Sequence, residues 1–249
     1  MEYFTYIDSP FNIREDIKIA HRNYWKALAA PGSWWTGEQR ISIAQEVRNA
    51  TACGFCEERK KALSPYAVTG EHEHSTAELL STEAIDAIHR VVTDQDRITQ
   101  AYIDSNEQHG LSPEAYVELV GVVVTVFSID EFHRGLGLKA ELLPEPTEGV
   151  CSKYRPKQAA RGIGFVPMIP ADGATGAEAD LWPAGISANV LRALSLVPNA
   201  FREWYQVSKA QYLSLEGMGN FVKQDDRAIN RMQMELVAGR VSAINECFY

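Results

Sequence analysis

Cysteine is scarce in this chain, with four in 249 residues. That density excludes a framework of structural disulfides, and two of the four stand together as Cys53 and Cys56 in the stretch TACGFC. Long apolar runs are missing too. The longest, VELVGVVVTVFSI from Val117 to Ile129, already contains Glu118 and falls well short of the ~20 residues that cross a bilayer. The opening MEYFTYIDSPFNIRED lacks the basic-then-apolar order of a secretory signal, so a cytoplasmic protein with no membrane partner is expected. Basic residues are outnumbered, with 24 Lys and Arg against 33 Asp and Glu and a net charge of −9. A general nucleic-acid binder is thereby excluded, because neutralising phosphates needs clustered cations. Sustained strand-like alternation is absent, which leaves an all-α fold as the expectation.

What the chain does have is helical patterning in two blocks. IREDIKIAHRNYWKALAA carries apolar residues at helical spacing and stops before Pro31-Gly32. TGEQRISIAQEVRNATAC starts at Thr36, a good N-cap, with Glu38 and Gln39 in its first turn. SPEAYVELVGVVVTVFSIDEFHRGLG has Ser112 as its cap, Pro113 at the first helical position and glycines at its exit. Its β-branched run fits a strand by propensity, but length and caps favour a buried helix. The chain is expected to divide into an N-terminal helical unit over 1–140, an irregular connector over 141–180, and a C-terminal helical unit over 181–249. The connector is rich in Pro, Gly and Ala and shows no sustained period.

Two cysteines two residues apart at a helical turn close a disulfide with little rearrangement, and nearby cations favour the reactive thiolate. Arg48, Arg59, Lys60 and Lys61 surround the pair, partly offset by Glu57 and Glu58. Redox chemistry is the leading reading, with buried packing cysteines as the plain alternative. A zinc reading would join the pair to His72 and His74 of EHEH, although His-x-His is tighter than the usual finger spacing. A di-iron reading would use Asp86 with His89 and Asp130 with His133, each at i, i+3, with Glu46 as a lone carboxylate. Glu46 precedes Cys53 by two helical turns, so a continuous helix would put both on nearly one face, where the carboxylate could relay a thiol proton. Cys151 has no sequence partner and reads as structural.

Laying Cys53 over Cys247 brings Ala44 onto Ala238 and Val47 onto Val241, a weak internal repeat. RMQMELVAGRVSAINECFY resembles the core of the AhpD-like alkylhydroperoxidase and carboxymuconolactone decarboxylase superfamily. The signature of that superfamily is a Glu, eleven residues, then Cys-x-x-Cys, with a His four residues after the second Cys. Glu235 and Cys247 match the Glu and the first Cys, and EVRNATACGFC resembles the same core in the first half, which implies a duplicated, two-unit member. The resemblance implies an all-α AhpD-like fold, usually oligomeric, with the second Cys attacking a hydroperoxide, the first resolving it as a disulfide, and a Glu–water–His relay moving protons. Site residues are then Cys53, Cys56, Glu46, Glu235 and Cys247, with no cofactor and no metal, and the partners are a hydroperoxide or disulfide substrate and a thiol electron donor. A degenerate scaffold that keeps the core is the alternative.

The chain departs from the signature in both halves. In the first half Ile41 and Lys60 occupy the family's Glu and His positions, so a relay needs Glu46 and one of His72, His74, His89 or His133 to meet in space. In the second half the chain stops after Tyr249, before the second Cys and the His. Three readings of that stop stand side by side: a vestigial second site, a chain cut short in cloning, or a native protein continuing with selenocysteine or Cys and then a nearby His.

Overall fold

The computed structural model describes residues 2–73, 78–162, 164–183, 188–219 and 227–244. Among them the chain is all-α, with ten helices, no strand and one isolated antiparallel bridge between Ala160 and Met168. No helix among these residues is long and apolar enough to cross a membrane. The chain divides into two compact units, 1–207 and 208–249.

The first unit is built around three mutually packed helices: α2 (Gly37–Ala50), α4 (Thr82–Thr93) and α6 (Pro113–Gly135). α1 (Glu15–Ala29) lies against α2, and α3 (Gly54–Lys61) lies against α4. α5 (Gln100–Gln108), the single turn α7 (Asn189–Arg192) and α8 (Pro198–Gln211) follow in chain order. Each central helix starts where its sequence provides a cap. Thr36 and Gln39 form a reciprocal capping box on α2, Ser81 accepts from the Ala84 amide on α4, and Ser112 with Pro113 opens α6. Ile43, Ile88, Leu119, Val126 and Ile129 are fully buried where the three meet. The β-branched run of α6 is helical because it is buried on most sides, so packing outweighs the intrinsic strand preference of Val. Gly121 lets α8 approach α6: a Cβ there would stand 2.9 Å from the Ala200 Cβ.

SANVLRALSLVPNAFREWYQ, which reads as one helical pattern, is broken between α7 and α8. Pro198 opens α8, and Ser195 holds the turn before it, donating to the Arg192 carbonyl at 2.6 Å and accepting from the Ile169 amide at 2.9 Å. The segment after α6 is irregular yet anchored. Trp25 Nε1 donates to the Leu142 carbonyl at 2.8 Å, the Thr147 amide to the Ala29 carbonyl at 2.8 Å, and the Lys153 amide to the Ser33 carbonyl at 2.9 Å.

Two buried polar groupings lie away from the cysteines. Arg40 donates to the Ala27 and Ala30 carbonyls at 3.0 and 3.2 Å and pairs with Glu203, while Glu118 Oε1 lies 4.0 Å from its Nε. Gly32 makes room for this network, since a Cβ there would overlap Glu118 Oε1 at 1.7 Å. At the other end of α1, the Tyr6 hydroxyl meets His21 Nδ1 at 2.6 Å, and the Tyr6 ring stacks on His133 with centroids 4.9 Å apart. Phe4 packs edge-on against His21 and Trp25. Phe4 and Tyr6 both sit at φ 54°, a left-handed conformation unusual for bulky residues. Arg22 braces that segment by donating to the Tyr3 and Phe4 carbonyls.

In the second unit, α9 (Leu215–Met218) precedes α10 (Arg231–Ile244). The offset that lays Cys53 over Cys247 also lays the first residue of α10 on the first residue of α2. α10 leaves Met232, Leu236, Val237, Val241 and Ile244 exposed.

Candidate functional site

α2 does not continue into the Cys-x-x-Cys. It ends at Ala50, the chain turns through Thr51 and Ala52, and Cys53 becomes the N-cap of α3, its amide donating to the Ala50 carbonyl at 3.3 Å. The shared helical face expected for Glu46 and Cys53 is therefore interrupted, and Glu46 reaches the cysteines through another residue. That residue is His89 on α4. Glu46 Oε2 lies 3.2 Å from His89 Nε2, and His89 Nδ1 lies 3.2 Å from Cys56 Sγ. Glu46 and His89 are 0% exposed, and Cys56 is 1% exposed. In the tautomer whose Nε2–H donates to Glu46, the Nδ1 lone pair faces the thiol.

A second chain of the same kind runs beside the first. His72 Nδ1 lies 3.4 Å from Cys56 Sγ and 3.8 Å from Cys53 Sγ, and its Nε2 lies 3.0 Å from Asp86 Oδ1. The two imidazoles are 4.0 Å apart, centroid to centroid. His72 arrives on the loop after α3, which passes over Phe55 at Gly70, where a Cβ would come within 2.6 Å of the ring. Asp86 is a hub: Arg59 donates to it at 2.7 Å, Arg90 at 2.8 Å and the Tyr102 hydroxyl at 2.6 Å. Burial alone would raise its pKa. Hydrogen bonds from His72 and Tyr102 and the charges of Arg90 and Arg59 outweigh that and hold it well below the usual carboxylate range.

Burial pushes the Cys56 thiol up to about 12, despite a hydrogen bond with Thr93 and the positive charge of Arg59, whose Nη2 lies 3.9 Å from the sulfur. Burial likewise lowers the pKa of His72, against the pull of Asp86. A protonated thiol at neutral pH faced by a neutral imidazole is a donor meeting its acceptor. A cavity of about 520 Å³ opens alongside, lined by Phe55, Arg59, Tyr66, His72, Asp86 and Arg90 among others. His72 belongs to both the cavity wall and the cysteine cluster.

The structure thus brings together Cys53, Cys56, Glu46, His72 and His89. The i, i+3 pair of Asp86 and His89 is not a pair: Asp86 serves His72, while His89 turns to Glu46. Asp130 and His133 are engaged elsewhere. Arg48 grips Asp130 through two hydrogen bonds of 2.8 and 2.9 Å, and His133 Nδ1 donates to the Ile129 carbonyl at 3.0 Å. His74 and Cys247 lie outside the described residues. Glu235, on α10, accepts from the Tyr212 hydroxyl at 2.8 Å and pairs with Arg231 at 2.7 Å. Among the described residues, Cys53, Cys56, His72 and His89 form the group whose donor atoms all lie within 4.8 Å of one another. The sequence placed Arg59 beside the cysteines and Asp86 with His89, but not Asp86 with His72 and Arg59, because those partners are distant in the chain.

Comparison with protein families, with curated proteins and with solved structures finds no match to this chain.

Proposed function

We propose that the first unit is a thiol oxidoreductase that reduces hydroperoxides through Cys56 and Cys53. The observation that carries this reading is the continuous buried chain from Glu46 through His89 to Cys56. His89 accepts the thiol proton, Glu46 steadies the resulting imidazolium, and Arg59 faces the thiolate. The Cys56 thiolate attacks the terminal oxygen of the hydroperoxide, breaking the O–O bond and becoming a sulfenic acid; the departing alkoxide takes the proton from His89 and leaves as alcohol. Cys53 then attacks the Cys56 sulfur, a disulfide forms and water leaves. Two equivalents of a donor thiol reduce that disulfide and are themselves joined as a disulfide.

This arrangement is similar to the Glu and His relay of AhpD-like proteins, with the parts at different sequence positions. Membership of that superfamily, a duplicated ancestry and an oligomeric assembly are part of the same proposal. The matching start of α2 and α10 under the repeat offset supports the duplication. The cavity beside His72 offers the substrate an approach.

Two variants test the order of events. Cys56→Ser is expected to abolish hydroperoxide consumption. Cys53→Ser is expected to complete one turnover and stop with a sulfenic acid on Cys56, trapped by a dimedone probe and located by peptide mass. Undiminished consumption by Cys56→Ser would overturn the proposal.

A further inference from the structure

We infer that in the reduced protein Cys53, Cys56, His72 and His89 form a tetrahedral binding site for Zn²⁺. The inference goes beyond the redox reading, because it stands on donor geometry whether or not a hydroperoxide is reduced there.

Zinc bonds of about 2.3 Å to sulfur and about 2.0–2.1 Å to nitrogen, set at tetrahedral angles, require sulfur and nitrogen ligands to stand about 3.6 Å apart. The observed separations are 3.2 Å for Cys56 with His89, 3.4 Å for Cys56 with His72 and 3.8 Å for Cys53 with His72. These three sulfur–nitrogen separations bracket that value, and all four donor atoms lie within 4.8 Å of one another. Their chemistry selects the ion: two thiols and two imidazoles suit Zn²⁺ and do not suit Mg²⁺ or Ca²⁺, which take oxygen.

The outer nitrogens reinforce the assignment. Metal-bound histidines characteristically donate their other N–H to a carboxylate, which fixes the tautomer and aims the lone pair at the metal. Both imidazoles meet that condition, His72 through Asp86 at 3.0 Å and His89 through Glu46 at 3.2 Å. Two simultaneous carboxylate-backed Nδ1 atoms aimed at one thiol pair exceed what a single proton relay needs. Binding would release two thiol protons, and the two thiolates cancel the charge of the ion, so a buried site stays neutral. The ion would tie the loop carrying His72 to the start of α3 and to α4. It would also exclude the disulfide, since oxidation removes both thiolate ligands.

The test is an anaerobic titration of the reduced, metal-free full chain with Co²⁺, followed by Zn²⁺. One equivalent of Co²⁺ is expected to give the intense visible bands of a tetrahedral ion and a thiolate charge-transfer band in the near ultraviolet, both removed by one equivalent of Zn²⁺. Cys53→Ser and His72→Ala should each lose the tetrahedral spectrum. Asp86→Asn, which keeps all four ligands, should weaken affinity by about 10–100-fold. Circular dichroism confirms that each variant is folded. Absence of stoichiometric binding, or a spectrum unchanged in Cys53→Ser, would overturn the site. Disulfide formation by hydroperoxide is followed in the same metal-free sample. Disulfide formation without Co²⁺ binding would sink the metal site alone, and Co²⁺ binding without disulfide formation would sink the redox reading alone.

Discussion

Replacing His89 with Asn is expected to slow oxidation of Cys56 by hydroperoxide about 10²–10⁴-fold, the range general acid–base assistance provides. Burial holds the Cys56 thiol up to about 12, so without a base the thiolate is rare at neutral pH. His89 Nδ1, at 3.2 Å, is the nearer of the two imidazole nitrogens to the Cys56 sulfur, and among the described residues its sulfur contact is with Cys56 alone. His72 stands slightly farther from Cys56, at 3.4 Å, and shares its lone pair with Cys53. Asn preserves a polar group for Glu46 but takes no proton. Glu46→Gln, which leaves the imidazole in place, should cost less than His89→Asn. Stopped-flow oxidation of metal-free protein, with urea midpoints as a folding control, reads the difference. Equal rates in wild type and His89→Asn would remove His89 from the mechanism.

Acid is expected to destabilise the first unit through His21. Burial, and then the proximity of His133, lower the His21 pKa from 6.5 to about 3. The folded protein thus holds His21 neutral where the unfolded chain would protonate it. The unfolded state binds the extra proton between these values, so stability rises with pH across the window. The contribution is complete above about 6.5 and disappears as the pH falls to about 3, a loss on the order of 4 kcal/mol. Groups facing the ring include the Tyr6 hydroxyl, Phe4 and Phe132, and His133, with Glu141 acting on Tyr6. Comparing urea unfolding of wild type and His21→Gln from pH 7 to 4 isolates the effect. The wild-type curve should fall more steeply with acid, and parallel curves would show that His21 does not govern it.

The helices were legible because their signals are local. Thr36 with Gln39, and Ser112 with Pro113, announce their own helix starts. The all-α expectation also held against the β-branched run of α6, where length and caps outweighed propensity. The Cys-x-x-Cys was visible for the same reason, both residues lying within one turn. What failed was inference across the break at Thr51, since periodicity assumes a continuous helix and carries no information about a turn that ends one. The reading of Asp86 with His89 failed differently. Spacing on α4 places them on adjacent positions of one face, but which neighbour each meets depends on the loop bearing His72 and on α2 bearing Glu46. From local spacing His72 could be paired only with the neighbouring His74 of EHEH, because its actual neighbours, Phe55 and Asp86, are distant in the chain.

The most direct measurement is the product of one equivalent of hydroperoxide acting on reduced, metal-free wild-type protein at neutral pH, read by intact mass and peptide mapping. The expected result is the loss of two hydrogens and a disulfide joining Cys53 to Cys56. A protein of unchanged mass, whose Cys53 and Cys56 become reactive only after denaturation, would contradict it.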